Sequence, residues 1–193
     1  MDSIFLSSYP ALLEDLALIA TLQSLKLVVF DVDGVLTDGR LLYTEEGETI
    51  KRFNVKDGVA MKLLPKWGIQ VAVITAKDSA PLRQRMKELK IEHFFPGCHN
   101  KAEAFDELVV RLGINPDKAV YVGDDVIDLQ VMPKVGVAMC PFDAHVLVQR
   151  HCSVVLNKAG GEGVAREVAD IVLATRMPLE EAYELAQKPE FEK

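Results

Sequence analysis

Leu27–Val28–Val29–Phe30–Asp31–Val32–Asp33–Gly34–Val35–Leu36–Thr37 is a short apolar run that ends in two carboxylates two positions apart, followed by glycine. Four to six unbroken apolar residues bounded by polar and turn residues suit a strand buried on both faces, as in a parallel sheet under helices. The carboxyl end of such a strand is where open α/β sheets bind their ligands. A core has no use for Asp there, because an unpaired buried carboxylate is very costly. The pair needs a compensating cation, or one member must carry a proton. Both readings point to chemistry.

Composition narrows the rest. The 193 residues are enough for one domain with a substantial core, and 49% hydrophobic with 26% charged content is ordinary for a globular protein. The net charge of -7 argues against a nucleic-acid surface, although a local cation can still hold an anionic small molecule. Cys98, Cys140 and Cys152 are odd in number and widely spaced, so they are expected as reduced core thiols. No Lys or Arg precedes Lys26, and the uncharged run Ser3 to Leu13 is too short to span a bilayer. A cytoplasmic chain is expected.

Along the chain, Ala11–Leu25 has the apolar spacing of one amphipathic helix. Asp38–Thr44 and Glu48–Phe53 flank Glu45–Glu46–Gly47 and predict a β-hairpin within residues 38–54. Only about 20 residues separate Thr37 from Lys56–Asp57–Gly58, so no separate cap domain fits there. Asp57 is expected to cap a helix through Trp67, weakened near Pro65. Ile69–Ile74, Phe94–Phe95, Ala119–Val122, Val135–Met139 and Ser153–Leu156 read as strands. Ser79–Lys90, a helix opened by Asn100–Lys101, a helix near Ala144–Arg150, and Val164–Ala174 read as the helices between and after them. Alternating strands and helices predict a doubly wound parallel α/β sheet. Residues 1–25 form a helical extension, 26–176 the domain, and 177–193 a polar tail that frays or docks on a neighbour.

Asp31 and Asp33, Thr75, and Asp124, Asp125 and Asp128 all follow the carboxyl end of a predicted strand, and Lys101 starts a helix at the same edge. Adjacent strands lie about 5 Å apart, which lets these groups converge in one crevice. Carboxylates without a Cys or His cluster offer hard oxygen ligands and favour Mg²⁺ over zinc. Lys101 and the Thr75 hydroxyl suit phosphate oxygens. A carboxylate can attack phosphorus, and Asp33, two residues beyond Asp31, is placed to protonate the leaving oxygen and later deprotonate water.

These stretches, with Ile74–Thr75 and Gly123–Asp124–Asp125–Val126–Ile127–Asp128, resemble the four ordered motifs of the haloacid dehalogenase superfamily. The resemblance implies a Rossmann-like fold with Asp31 as nucleophile, Asp33 as general acid and base, and Thr75 and Lys101 as phosphate binders. It implies Mg²⁺ held by Asp31, the Asp33 carbonyl and Asp124, with Asp125 or Asp128 in support. The hairpin, the missing cap, Phe53–Gly58 and Ala159–Glu167 are similar to the capless 3-deoxy-D-manno-octulosonate 8-phosphate phosphatase family. That likeness implies a homotetramer whose hairpins and tails help to close neighbouring sites, with Lys56, Asp57 and Lys77 near the sugar acid. Lys56 and Ala76–Lys77 stand where that family often has Arg and Gly–Arg. Lysine keeps the charge but loses the bidentate fork, which leaves a nine-carbon sugar acid phosphate as an alternative substrate. A phospho-acceptor signalling domain is a further alternative, since receiver domains also gather Asp, Thr and Lys at strand ends.

Lys51, Arg52 and Lys56 divide evenly between a solvated hairpin face and substrate contact. Asp128 either supports the metal or orients a water or a loop. Gly160, Gly161 and Gly163 form a hinge, or bring backbone close to a neighbour's ligand.

Overall fold

The computed structural model describes residues 1–192. Its strands are β1 (Leu27–Phe30), β2 (Leu42–Thr44), β3 (Gly47–Ile50), β4 (Gln70–Ile74), β5 (His93–Phe95), β6 (Ala119–Val122), β7 (Val137–Cys140) and β8 (Val154–Val155). Its helices are α1 (Ser3–Leu6), α2 (Pro10–Glu14), α3 (Leu16–Ser24), α4 (Val55–Leu63), α5 (Ala80–Glu88), α6 (Lys101–Leu112), α7 (Val146–His151), α8 (Val164–Ala174) and α9 (Leu179–Tyr183). Six strands form one sheet in the order β5–β4–β1–β6–β7–β8, and every neighbouring pair is parallel. The doubly wound α/β architecture expected from the sequence is the observed one.

Successive side chains of a strand point to opposite faces, so each apolar run feeds two cores at once. Val28, Phe30, Val71 and Val73 pack with α4, α5, α8 and the N-terminal helices. Leu27, Val29, Ala72 and Ile74 pack with α6 and α7 on the other face. Helix α8 is buried nearly all round because the N-terminal segment covers its outer side through Leu6, Leu12 and Leu22. No helix among the described residues is long and apolar enough to cross a membrane.

The structure departs from the sequence reading at four places. The single helix over Ala11–Leu25 is broken at Asp15, whose backbone is non-helical and whose side chain accepts Leu18 N at 2.9 Å. Apolar spacing runs through α2 and α3 alike, and a carboxylate offering the backbone a cap is enough to divide them. Helix α4 is capped by Asn54, which accepts Lys56 N at 3.0 Å, and not by Asp57. Its expected extension to Trp67 is a separate 3-10 turn over Leu64–Trp67, carrying Pro65 in its first turn. The hairpin strands are shorter than expected; β2 stands exposed and β3 is half-buried only at Gly47 and Glu48, since little core lies beneath them to extend the pairing.

The fourth departure is the tail. It packs on its own domain: Trp67 Nε1 donates to Ala182 O at 3.1 Å, and Tyr183 OH donates to Asp170 at 2.5 Å. The Arg166 guanidinium also lies 4.1 Å from the Tyr183 ring centre. The glycine loop likewise serves its own chain. A Cβ at Gly160 would lie 2.3 Å from Gly34 O, and one at Gly161 would lie 2.7 Å from Asp38 N, so only glycine lets this loop close over residues 34–38.

The loop before it is held by Glu167, buried at 6% exposure, which accepts Asn157 N at 2.8 Å and Lys158 N at 2.9 Å. Tyr9 OH donates to the same carboxylate and so anchors the N-terminal segment to α8. Burial and this carboxylate both push the Tyr9 phenol upward, so it stays a donor. Removing that donor with Tyr9→Phe is expected to cost about 1.5–3 kcal/mol in urea unfolding, the range for a hydrogen bond to a charged group. An unchanged midpoint would show that the apolar packing of Leu6 and Leu12 holds the segment alone.

Candidate active site

Register places the polar residues on one rim. Phe30 pairs with Val73 on one side and Val122 on the other, so Asp31, Thr75 and Asp124 leave neighbouring strands at the same edge. The chain winds outward from β1 in one direction through β4 and β5, then returns to continue through β6, β7 and β8. Asp31 and Asp124 flank that reversal. Carboxylate oxygens of Asp31, Asp124 and Asp128 lie within 4.8 Å of one another.

The positive charge comes from α6. Asn100 accepts Glu103 N at 3.2 Å and so starts the helix at Lys101, whose side chain is 1% exposed. Its ammonium lies 2.9 Å from Asp31 Oδ1 and 2.7 Å from Asp128 Oδ1. Asp128 is the hub beneath. Oδ1 also accepts Tyr121 OH at 2.7 Å, while Oδ2 accepts Asp124 N at 2.9 Å and Asp125 N at 3.2 Å. These bonds occupy both of its oxygens, so it fixes the Lys101 ammonium and the Asp124 backbone. Asp125 is turned away, capping the turn over Val126–Gln130 through Val126 N at 2.7 Å.

Crowding carries an electrostatic cost. Burial first, and then the Asp128 charge, push Asp31 up to about 7 against the pull of Lys101. Burial and the charges of Asp31, Asp128 and Asp125 push Asp124 up to about 8. Asp124 Oδ1 is buried with no hydrogen-bond partner among the described residues. Gly34, at φ +86°, passes so close that a Cβ there would lie 2.0 Å from Asp124 Oδ2. Hard oxygens crowded around one point, one of them unpaired, fit a divalent cation such as Mg²⁺.

Asp33 sits beside this group. Its Oδ1 takes the Lys51 ammonium from the end of β3 and lies 3.3 Å from the Thr37 hydroxyl. Thr75 is buried, and its hydroxyl accepts Lys77 N at 3.3 Å, closing the loop after β4. Lys77 itself is exposed. Lys56 is exposed too, at the rim of a cleft of about 480 Å³ that Tyr9, Lys158, Glu162 and Arg166 also line. The clustered carboxylates do not line that cleft.

Asp57 is engaged elsewhere. It is 3% exposed, and its Oδ1 accepts Arg166 N at 3.0 Å, so it caps α8 from α4. The structure thus gathers Asp31, Lys101 and Asp124, with Asp33 and Thr75 on the same rim, and gives Asp57 a structural partner. Sequence reasoning left Tyr121 out of the site, and weighed Lys51 for substrate contact without assigning it a partner. A tyrosine inside an apolar strand was the available signal for the first, because a buried phenol seeks a partner. Nothing in the spacing of the hairpin showed that Lys51 would pair with Asp33.

A family model for haloacid dehalogenase-like hydrolases matches residues 43–141. The 3-deoxy-D-manno-octulosonate 8-phosphate phosphatase of Escherichia coli (strain K12) is 40% identical over 164 residues, covering 85% of this chain and 87% of its own. This chain belongs to that phosphatase family. Among solved structures, the cobalt-bound deoxy-D-mannose-octulosonate 8-phosphate phosphatase of Haemophilus influenzae superposes with a TM-score of 0.79 at 40% identity, covering 81% of this chain and 91% of its own. The Moraxella catarrhalis enzyme, in complex with magnesium ion, phosphate ion and KDO, gives 0.78 at 34% identity, with 81% and 90% covered. The phosphatase is therefore a haloacid dehalogenase-type hydrolase, and the phospho-acceptor signalling alternative falls away.

The position of Asp57 yields a pH test. Burial pushes this carboxyl up to about 6, against the α8 backbone N–H groups and the charges of Arg85 and Arg166. The folded state then holds the proton more tightly than the unfolded chain, so stability falls as pH rises from about 4 to about 6. The loss is on the order of 2–3 kcal/mol. Asp57→Asn keeps an oxygen for Arg166 N and removes this loss, so the stability of the variant relative to the parent should rise from pH 3.5 to pH 7 in urea unfolding. Parallel stability curves would remove the assignment.

Proposed function

We propose that this phosphatase hydrolyses 3-deoxy-D-manno-octulosonate 8-phosphate to the free sugar acid and phosphate, through an aspartyl-phosphate on Asp31. What supports the reading is the meeting of Asp31, Asp124 and Lys101 at one strand edge, in a chain that resembles an enzyme captured with magnesium, phosphate and KDO.

Asp31, the Asp33 backbone carbonyl and Asp124 would hold Mg²⁺, which when bound offsets the repulsion between carboxylate and phosphate. The side chains do the rest. Lys101 and the Thr75 hydroxyl take phosphate oxygens, and Lys77 borders the sugar acid. An Asp31 oxygen forms a bond to phosphorus as the bond from phosphorus to the sugar oxygen breaks. Asp33 gives that oxygen its proton. A water then attacks the phosphorus and loses its proton to Asp33. The phosphorus–Asp31 bond breaks and the carboxylate is restored. Lys101, fixed by Asp128, keeps Asp31 in place throughout.

The site lacks a cap, so its outer wall comes from elsewhere. Leu41, Leu42, Tyr43 and Ile50 of the hairpin are 42–64% exposed, an apolar surface suited to another copy in a homotetramer. Sedimentation should find a tetramer, and Leu42→Asp with Tyr43→Asp should dissociate it and weaken sugar-phosphate turnover. A fully active monomer would sink the assembly.

The chemistry is tested by released phosphate from a panel of eight- and nine-carbon sugar acid phosphates, with Mg²⁺ and with chelator. Turnover should require Mg²⁺ and favour the eight-carbon substrate. Asp31→Asn should lower it by at least about 10⁴-fold, as loss of a nucleophile does, while the variant still unfolds as a folded domain, since Asp128 continues to hold the Lys101 ammonium. Retained turnover in Asp31→Asn would overturn the mechanism, and preference for a nine-carbon substrate would overturn the specificity.

A further inference from the structure

The hairpin sends one buried charge into the site. Its strands are exposed except at Gly47 and Glu48, and its Arg52 contacts, at 3.2 Å to Asp38 and 3.1 Å to Glu162, involve a 63% exposed side chain. Such surface pairs hold little. Lys51 is different: its side chain is 1% exposed, its ammonium pairs with Asp33 Oδ1, and Glu48 Oε1 lies 2.9 Å from it. A lysine buried to this degree is rare unless it is paired, and both of its partners are carboxylates. Burial works against its charge, but the hydrogen bonds and charges of Asp33 and Glu48 outweigh it and raise its pKa.

The two oxygens of Asp33 are treated unequally. Oδ1 receives Lys51 and lies within reach of the Thr37 hydroxyl, itself buried. Oδ2 is buried with no hydrogen-bond partner among the described residues. One oxygen is therefore anchored and the other is left without a partner. We propose that Lys51 is a positioning residue of the reaction: it clamps Asp33 Oδ1 so that Oδ2 delivers the proton to the leaving oxygen and takes it back from the attacking water. Glu48 holds the ammonium from its far side and sets its reach. The hairpin thus helps to build the acid–base half of the site from within its own chain. This rests on the reading of Asp33 as general acid and base.

The test separates the two half-reactions by leaving group. An alkyl phosphate needs a proton for its leaving oxygen, whereas p-nitrophenolate departs unaided. Loss of the clamp should therefore slow both steps with the sugar phosphate, but chiefly the water step with p-nitrophenyl phosphate. With Mg²⁺ present, Lys51→Met should lower sugar-phosphate turnover by about 10–100-fold, part of the range general acid–base catalysis supplies. With p-nitrophenyl phosphate it should release close to one equivalent of nitrophenol per site rapidly and then turn over slowly, with phosphate found on the acid-quenched chain. Circular dichroism and thermal unfolding establish that the variant folds, and Lys51→Gln carries the same test if Lys51→Met does not.

Asp33→Asn serves as the reference. A rapid first equivalent in both variants supports the clamp. A rapid first equivalent in Asp33→Asn alone, with Lys51→Met either unchanged or slowed equally on both substrates, overturns the clamp and leaves the role of Asp33 standing. Full turnover in Asp33→Asn overturns that role and the clamp together.

Discussion

One buried ammonium group makes the site possible. Lys101 lies between Asp31 and Asp128 at 2.9 and 2.7 Å with its side chain 1% exposed, and without it the β1 and β6 carboxylates would face each other uncompensated. Removing one partner from such a group leaves a buried charge alone, which is far costlier than losing a surface pair. The surroundings are built to prevent this. Asp128 receives the ammonium, the Tyr121 phenol and two backbone N–H groups, so its position is determined from four directions.

That compensation is partial, and the shortfall is where function enters. Lys101 and its partners satisfy Asp128, yet burial and mutual repulsion still push Asp31 and Asp124 upward, and Asp124 Oδ1 keeps no partner. A protein interior tolerates such a deficit only where something else supplies the balance. The Moraxella catarrhalis phosphatase, 34% identical to this chain, is itself a complex with magnesium ion, phosphate ion and KDO. Scaffold and reactivity are separated by one residue's role: Asp128 is saturated, whereas Asp31 and Asp124 are left wanting.

The rest of the chain protects this geometry. Close passage of Gly34 against Asp124, and of Gly160 and Gly161 against residues 34–38, leaves no room for side chains where loops converge. Glu167 fixes the loop before the glycines, Asp57 caps α8 behind them, and Tyr9 fastens the N-terminal helices to the same carboxylate. The hairpin is the exception, standing clear of the core with an apolar outer surface and one lysine turned inward.

Local pattern was enough for the sheet, for the strand-end position of Asp31, Thr75 and Asp124, and for the start of α6 at Lys101. Apolar runs of strand length and capping residues act over a few neighbours, so their meaning survives without the fold. The ordered motifs likewise pointed to a phosphatase. Tertiary structure alone decided what each polar group touches. Asp57 lay in a pattern consistent with capping its own helix or touching substrate, yet it caps α8, over 100 positions away. Asp128 became a saturated hub, Tyr121 joined it, and Lys51 turned toward Asp33 because partners brought together by strand register and loop closure have no signature in spacing along the chain. Hydrogen bonds and ion pairs depend on distances of a few ångströms in space, and a sequence specifies those only through the fold that the apolar residues build.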